Sequence, residues 1–115
     1  MQDIVKGMRA YGAVAAARSR REREADVFRR ANGALRAARN GSRTEQVRAI
    51  ADNRRLWSAV LDLVFDPASP LPPPLRGAIA SVGLAVQREV GRETPNLDFL
   101  IAVNENIAAG LAGDR

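Results

Sequence analysis

Apolar residues recur along this chain at intervals of three and four, and nowhere do they alternate as they would on a strand. Ile4, Met8, Tyr11 and Ala15 fall on one face, with Val5 beside them, which predicts a first helix over 2–17. Gly7 and Gly12 weaken it by about 1 kcal/mol each against alanine, so it is expected to be marginal unless docked. Ser19-Arg20-Arg21-Glu22 matches a capping box, in which serine and glutamate satisfy orphan N–H groups reciprocally. A second helix is predicted from there to about Arg39, with Phe28, Ala31, Leu35 and Ala38 as its stripe. One helix running unbroken through Ser19 is the alternative. Asn40-Gly41 is expected to close this segment, the glycine supplying a left-handed residue.

Ser42-Arg43-Thr44-Glu45 is another capping box and predicts a helix over 43–65, about 34 Å long at 1.5 Å per residue. Its stripe reads Val47, Ile50, Arg54, Trp57, Leu61 and Val64, widened by Leu56, Val60 and Leu63. Asp66-Pro67 stops it, because the residue before a proline is pushed out of the helical region. Prolines crowd residues 66–74 into a stiff connector that joins helices without dividing domains. Pro73 and Pro74 suit the first turn of the next helix, whose stripe is Leu75, Ile79, Val82, Val86 and Val90, with a stop near Gly91. Thr94 is expected to cap the last helix, with Pro95 at its first position. Leu97, Leu100, Ile101, Asn104, Ile107, Ala108 and Leu111 share its face, and Gly113 is the expected terminator. The expected fold is all-α: a compact bundle of four to five helices in a single domain over 1–115.

Composition narrows the chemistry. Aromatic residues make up only 4% of the 115, so the core must consist mostly of Leu, Ile, Val and Ala. The chain has no cysteine and no histidine, which excludes disulfides, thiolate zinc sites, histidine-ligated metals and Ser–His or Cys–His catalysis. No two carboxylates share an apolar face where one pKa would rise for acid–base work. Neither an enzyme nor a cofactor or metal site is expected. Asp3, Lys6 and Arg9 interrupt any signal-peptide pattern, and no apolar run approaches the roughly 18 residues of a membrane span. A cytoplasmic protein without membrane insertion is expected.

The net charge of +5 is uneven. Residues 1–55 carry 14 basic and 6 acidic side chains, giving +8, whereas residues 56–115 carry 4 and 7, giving −3. Such asymmetry suits an anionic partner or a dipolar surface that orients one. Arg18, Arg20 and Arg21 invite an RNA-binding reading, but Glu22, Glu24 and Asp26 are interleaved with this arginine run. Asp26–Arg30, Arg23–Asp26 and Asp26–Arg29 all have the spacing of helical ion pairs, so a self-paired solvated face is the competing reading.

The densest cluster is Asn53-Arg54-Arg55-Leu56-Trp57, which contains the only tryptophan. Arg54, on an otherwise apolar stripe, either lays its stem on the core with its head in water or pins a carboxylate or helix-terminal carbonyls. Asn53 and Arg55 fall off the stripe and are freer to meet a partner. Asn104 falls on its stripe and needs hydrogen-bond partners if buried. Trp57 fits either a packing centre or a binding hot spot.

Several of these segments together resemble the flagellar biosynthesis regulator FlaF family of alphaproteobacteria. They are Tyr11, Arg21-Glu22-Arg23-Glu24-Ala25, Asn53-Arg54-Arg55-Leu56-Trp57, Leu71-Pro72 with Leu75-Arg76-Gly77-Ala78-Ile79, and Ile101, Asn104, Ile107 and Gly110-Leu111. The resemblance covers about residues 11–111 in order. Arg20 stands where the family often has proline, and the run Pro72-Pro73-Pro74 is denser than usual. The resemblance implies a cytoplasmic, non-enzymatic helper of flagellum assembly that promotes flagellin synthesis and export beside the translation regulator FlbT. It implies flagellin as the partner, bound as by an export chaperone, with FlbT or flagellin mRNA as further partners. The candidate partner-binding residues are Met8, Tyr11, Asn53, Arg54, Arg55 and Trp57, with Arg18, Arg20 and Arg21 for RNA.

Overall fold

The computed structural model describes residues 2–113, which form four helices. These are α1 (Gln2–Ala38), α2 (Arg43–Phe65), α3 (Pro73–Val90) and α4 (Leu97–Ala112), with no strand among the described residues. The break expected at Ser19 is absent. Ser19 lies inside α1 and its hydroxyl accepts from Arg23 Nη1 at 2.9 Å, one turn on. A capping-box sequence works only where the backbone leaves the helix, and the good helix formers on both sides of Ser19 keep it in.

At Ser42 the box is realised. The Ser42 hydroxyl accepts from the Glu45 N–H at 3.1 Å, and the Glu45 carboxylate accepts from the Ser42 N–H at 3.3 Å. Gly41 does not adopt the expected left-handed conformation. Its role is steric: a Cβ there would lie 2.6 Å from Glu45 Oε2 and 3.2 Å from the Ala37 carbonyl oxygen. Gly113, with φ of 81°, is the left-handed terminator of α4. The start of α4 also differs from expectation. Asn96, two residues after Thr94, is the cap, its side chain accepting from the Phe99 N–H at 3.1 Å. Asparagine is the stronger cap, and its own N–H is held by the Glu89 carboxylate at 2.8 Å.

The helices pack into a compact bundle over roughly residues 25–112. Arg39 pairs with Asp98, and Arg36 with Glu105, so α1 and α4 run antiparallel. Phe28 meets Trp57 edge-on, ring centroids 5.8 Å apart, while Asn32 lies level with Asn53, so α2 is antiparallel to α1 as well. α3 folds back along α2. The approach is close at Gly83, where a Cβ would lie 2.6 Å from Leu61 Cδ2 and 3.2 Å from Trp57 Cε3. The core comprises Ala25, Phe28, Leu35, Ala38, Ala49, Trp57, Val86, Val90, Leu100, Ile101 and Ala108.

The first two-thirds of α1 takes no part in this core. Among residues 3–24 every side chain is exposed except the half-buried Ala17. The segment is an arm about 33 Å long at 1.5 Å per residue. It gives the molecule dimensions of 63 × 29 × 22 Å and a radius of gyration of 17.3 Å, against about 13 Å for a compact chain of this length.

Candidate functional site

Two regions concentrate the candidate residues, and they differ in kind. One is a polar cluster sealed in the bundle. Asn32, Asn53 and Asn104, from α1, α2 and α4, are buried and meet where those helices converge. Asn104 is the hub. Its Nδ2 donates to Asn32 Oδ1 at 3.0 Å and to Asn53 Oδ1 at 2.7 Å, while its Oδ1 accepts from Trp57 Nε1 at 2.9 Å. Asn32 Nδ2 completes the chain by donating to the Ile101 carbonyl at 3.0 Å. Only Asn53 Nδ2 in this cluster lacks a partner. Burying amides is tolerable because the groups satisfy one another, and that mutual dependence fixes the register of three helices at once.

Asn53 is therefore not off the core stripe as its spacing suggested. The buried line of α2 is Ala49, Asn53, Trp57, Leu61 and Val64, while Val47 and Leu63 point to solvent. The first half of the stripe is rotated by about one residue, because its buried positions are alanine and asparagine, which an apolar criterion passes over. Leu75, expected on the α3 stripe, is likewise exposed, and Gly83 lies buried near the middle of that helix. Asn32 joins the site without an apolar signal of its own; its spacing of four from Phe28 and three from Leu35 places it on the α1 stripe.

Arg54 resolves to one of its two readings. Its Nη2 donates to the Val90 carbonyl at 3.2 Å, tying α2 to the end of α3, while Gln87 Nε2 donates back to the Arg54 carbonyl at 3.3 Å. Arg55 points outward and pairs with Asp52 at 2.7 Å. Of the four candidates in this cluster, Asn53 and Trp57 are sealed in the core, Arg54 braces two helices, and Arg55 is free to be met.

The arm is the second region. Met8 is 69% and Tyr11 78% exposed, on the same face as the exposed Ile4, with Val5 and Val14 also exposed. Arg18, Arg20 and Arg21 follow on the same helix, all exposed. Self-pairing of the charged stretch is partial. Arg29 pairs with Asp26 and lies 3.6 Å from Glu22, whereas Arg18, Arg20, Arg21 and Arg30 pair with no carboxylate of the described residues. Asp26, by hydrogen bond and charge, raises the Arg29 pKa further.

Elsewhere, the Glu89 carboxyl is held below its usual range, first by the Asn96 N–H and then by Arg92. Among the described residues no group of three or more Asp, Glu, His or Cys is placed to hold a metal ion, and no helix is long and apolar enough to cross a membrane.

Fold and site together define a small all-helical protein, keyed by a buried asparagine cluster and carrying a long exposed basic arm. The family model for the flagellar protein FlaF matches residues 8–111. The chain belongs to that family of flagellar proteins. The match takes in most of the arm together with the bundle. No curated protein and no solved structure matches the chain significantly.

Proposed function

We propose that this chain acts in the cytoplasm as a flagellin-binding export chaperone that promotes flagellin synthesis and secretion. The observation that supports it is the arm: a helix with an apolar stripe (Ile4, Met8, Tyr11) that the described residues leave exposed, in a member of a flagellar family. An isolated helix of this length with two glycines is marginal in water, so its apolar face gains most by docking. Flagellin termini are amphipathic and unfolded before assembly, and an amphipathic helix laid against such a stripe shields surface that would otherwise polymerise. FlbT is the further partner this reading allows.

Purified chain and monomeric flagellin should co-elute on gel filtration at about 0.3 M salt, where screening acts within roughly 6 Å and apolar burial dominates. Replacing Met8 and Tyr11 with serine should separate them. Failure of the wild-type proteins to associate would sink the reading.

A second reading, RNA binding to regulate flagellin mRNA, has one observation in its favour: Arg18, Arg20 and Arg21 are exposed and pair with no carboxylate of the described residues. Binding to a flagellin leader RNA should then weaken steeply with salt. Replacing all three arginines by glutamine should flatten the log–log slope by about 2, at roughly 0.7 per lost phosphate contact. An unchanged slope counts against it.

A further inference from the structure

The solvent-facing side of α2 carries a feature that neither the arm nor the asparagine cluster uses. Arg43, Thr44, Val47, Arg48, Ala51 and Arg55 line a shallow groove of about 480 Å³. Val47 and Ala51 are four residues apart and form its floor, with Arg43 on one side and Arg48 and Arg55 on the other by helical phase. Val47 is 55% exposed, whereas Ala49, two residues on, is buried in the core. Arg43 and Arg48 pair with no carboxylate of the described residues, and Arg55 pairs only with Asp52.

We propose that this face binds an acidic peptide segment of a partner protein. Val47 and Ala51 take an apolar side chain of the peptide, and Arg43, Arg48 and Arg55 its flanking carboxylates. Charge complementarity selects the occupant. Three guanidiniums around an apolar floor match carboxylates that flank a hydrophobic anchor, and forked arginine donors suit carboxylates in particular. Single-stranded nucleic acid fits less well, because no aromatic side chain lines the groove to stack a base. A second copy of the arm fits less well too. Residues 2–24 carry Lys6, Arg9, Arg18, Arg20, Arg21 and Arg23 against Asp3, Glu22 and Glu24, and so would bring like charge to the arginines. The face belongs to the bundle and not to the arm, so one chain can hold two partners at once. The inference stands whether or not the arm binds flagellin.

The test is fluorescence anisotropy with the full chain and three probes. The first is a labelled synthetic helical peptide with leucines along one face and glutamates beside them. The second is its glutamine twin, and the third is oligouridine. The acidic peptide should bind about tenfold more tightly than its twin at low salt, a difference of about 1.4 kcal/mol spread over three charge pairs. The double variant R48E/R55E should abolish that preference, and V47S should weaken binding of both peptides. Reversing charge on the arm instead, with R20E/R21E, should leave the affinity within about twofold if the groove and not general attraction is responsible. All these residues are exposed, and circular dichroism will confirm that each variant is folded. Equal binding of the twin, equal loss in the arm variant, tighter binding of oligouridine, or no binding of the acidic peptide would each overturn the proposal.

Discussion

Replacing Asn104 with leucine probes the account of the core most sharply. The side chain is fully buried and serves three groups: Trp57 Nε1, Asn32 Oδ1 and Asn53 Oδ1. Leucine has a similar size but neither donates nor accepts, so all three are left without their partner. At about 1–3 kcal/mol for each unsatisfied buried group, the loss is roughly 3–6 kcal/mol after partial relaxation. The added apolar surface offsets about 1–2 kcal/mol. A net destabilisation of about 1–5 kcal/mol follows, a large share of the 5–15 kcal/mol typical of a domain.

Urea unfolding measures it directly. Trp57, the only tryptophan, reports on the core by fluorescence while circular dichroism reports on the helices. With a slope of about 1.5 kcal/mol per molar, the midpoint should fall by roughly 1–3 M. Leucine at the exposed neighbour Asn106 should stay within about 0.5 kcal/mol of wild type. Asn32→Leu added to Asn104→Leu should cost less than the sum of the two singles, because they break one network. A variant at Asn104 within about 1 kcal/mol of wild type would refute the claim that these amides depend on one another.

Three further predictions concern α3 and the α3–α4 turn. Gly83→Ala should destabilise by about 1–2 kcal/mol despite the gain in helix propensity, because the new methyl meets Leu61 and Trp57. Gly77→Ala, where a Cβ meets nothing within 4 Å, should stabilise by about 0.5–1 kcal/mol in the same urea assay. Glu89→Gln should lower stability at neutral pH, since the wild-type carboxylate holds the Asn96 N–H and Arg92. The folded pKa of Glu89 is depressed, so its contribution is present above the unfolded pKa and disappears as pH falls through the folded value. Urea midpoints of wild type and variant should therefore differ at pH 7 and converge in acid.

Much of this architecture is readable from residue spacing, and the misses share a physical cause. Asp66-Pro67, Pro73-Pro74 and the Ser42–Glu45 box mark helix ends because each restricts backbone geometry whatever surrounds it. Ser19–Glu22 has the same letters but lies in a run of strong helix formers, where the hydroxyl finds Arg23 instead. The phase of α2 departs from its apolar pattern where the buried positions hold Ala49 and Asn53, since an apolar pattern does not mark a buried amide that is paired across helices. Asn104 was legible as a stripe residue needing partners. Its partners were not, because they come from residues 47, 51 and 72 positions away. The stripe around Met8 and Tyr11 is legible in sequence as one face of a marginal helix and a candidate partner surface, and the structure leaves it exposed.

Hydrogen exchange of the full chain, alone and with saturating flagellin, tests the central proposal most directly. In the free chain, amides of residues 3–24 should exchange within seconds to minutes, as a marginal isolated helix does, while those around Asn53, Trp57 and Asn104 stay protected by about the global stability. On adding flagellin, protection should rise along the stripe from Ile4 to Ala15 and change little in the core. Unchanged exchange in the arm of a chain shown to be bound would contradict the account.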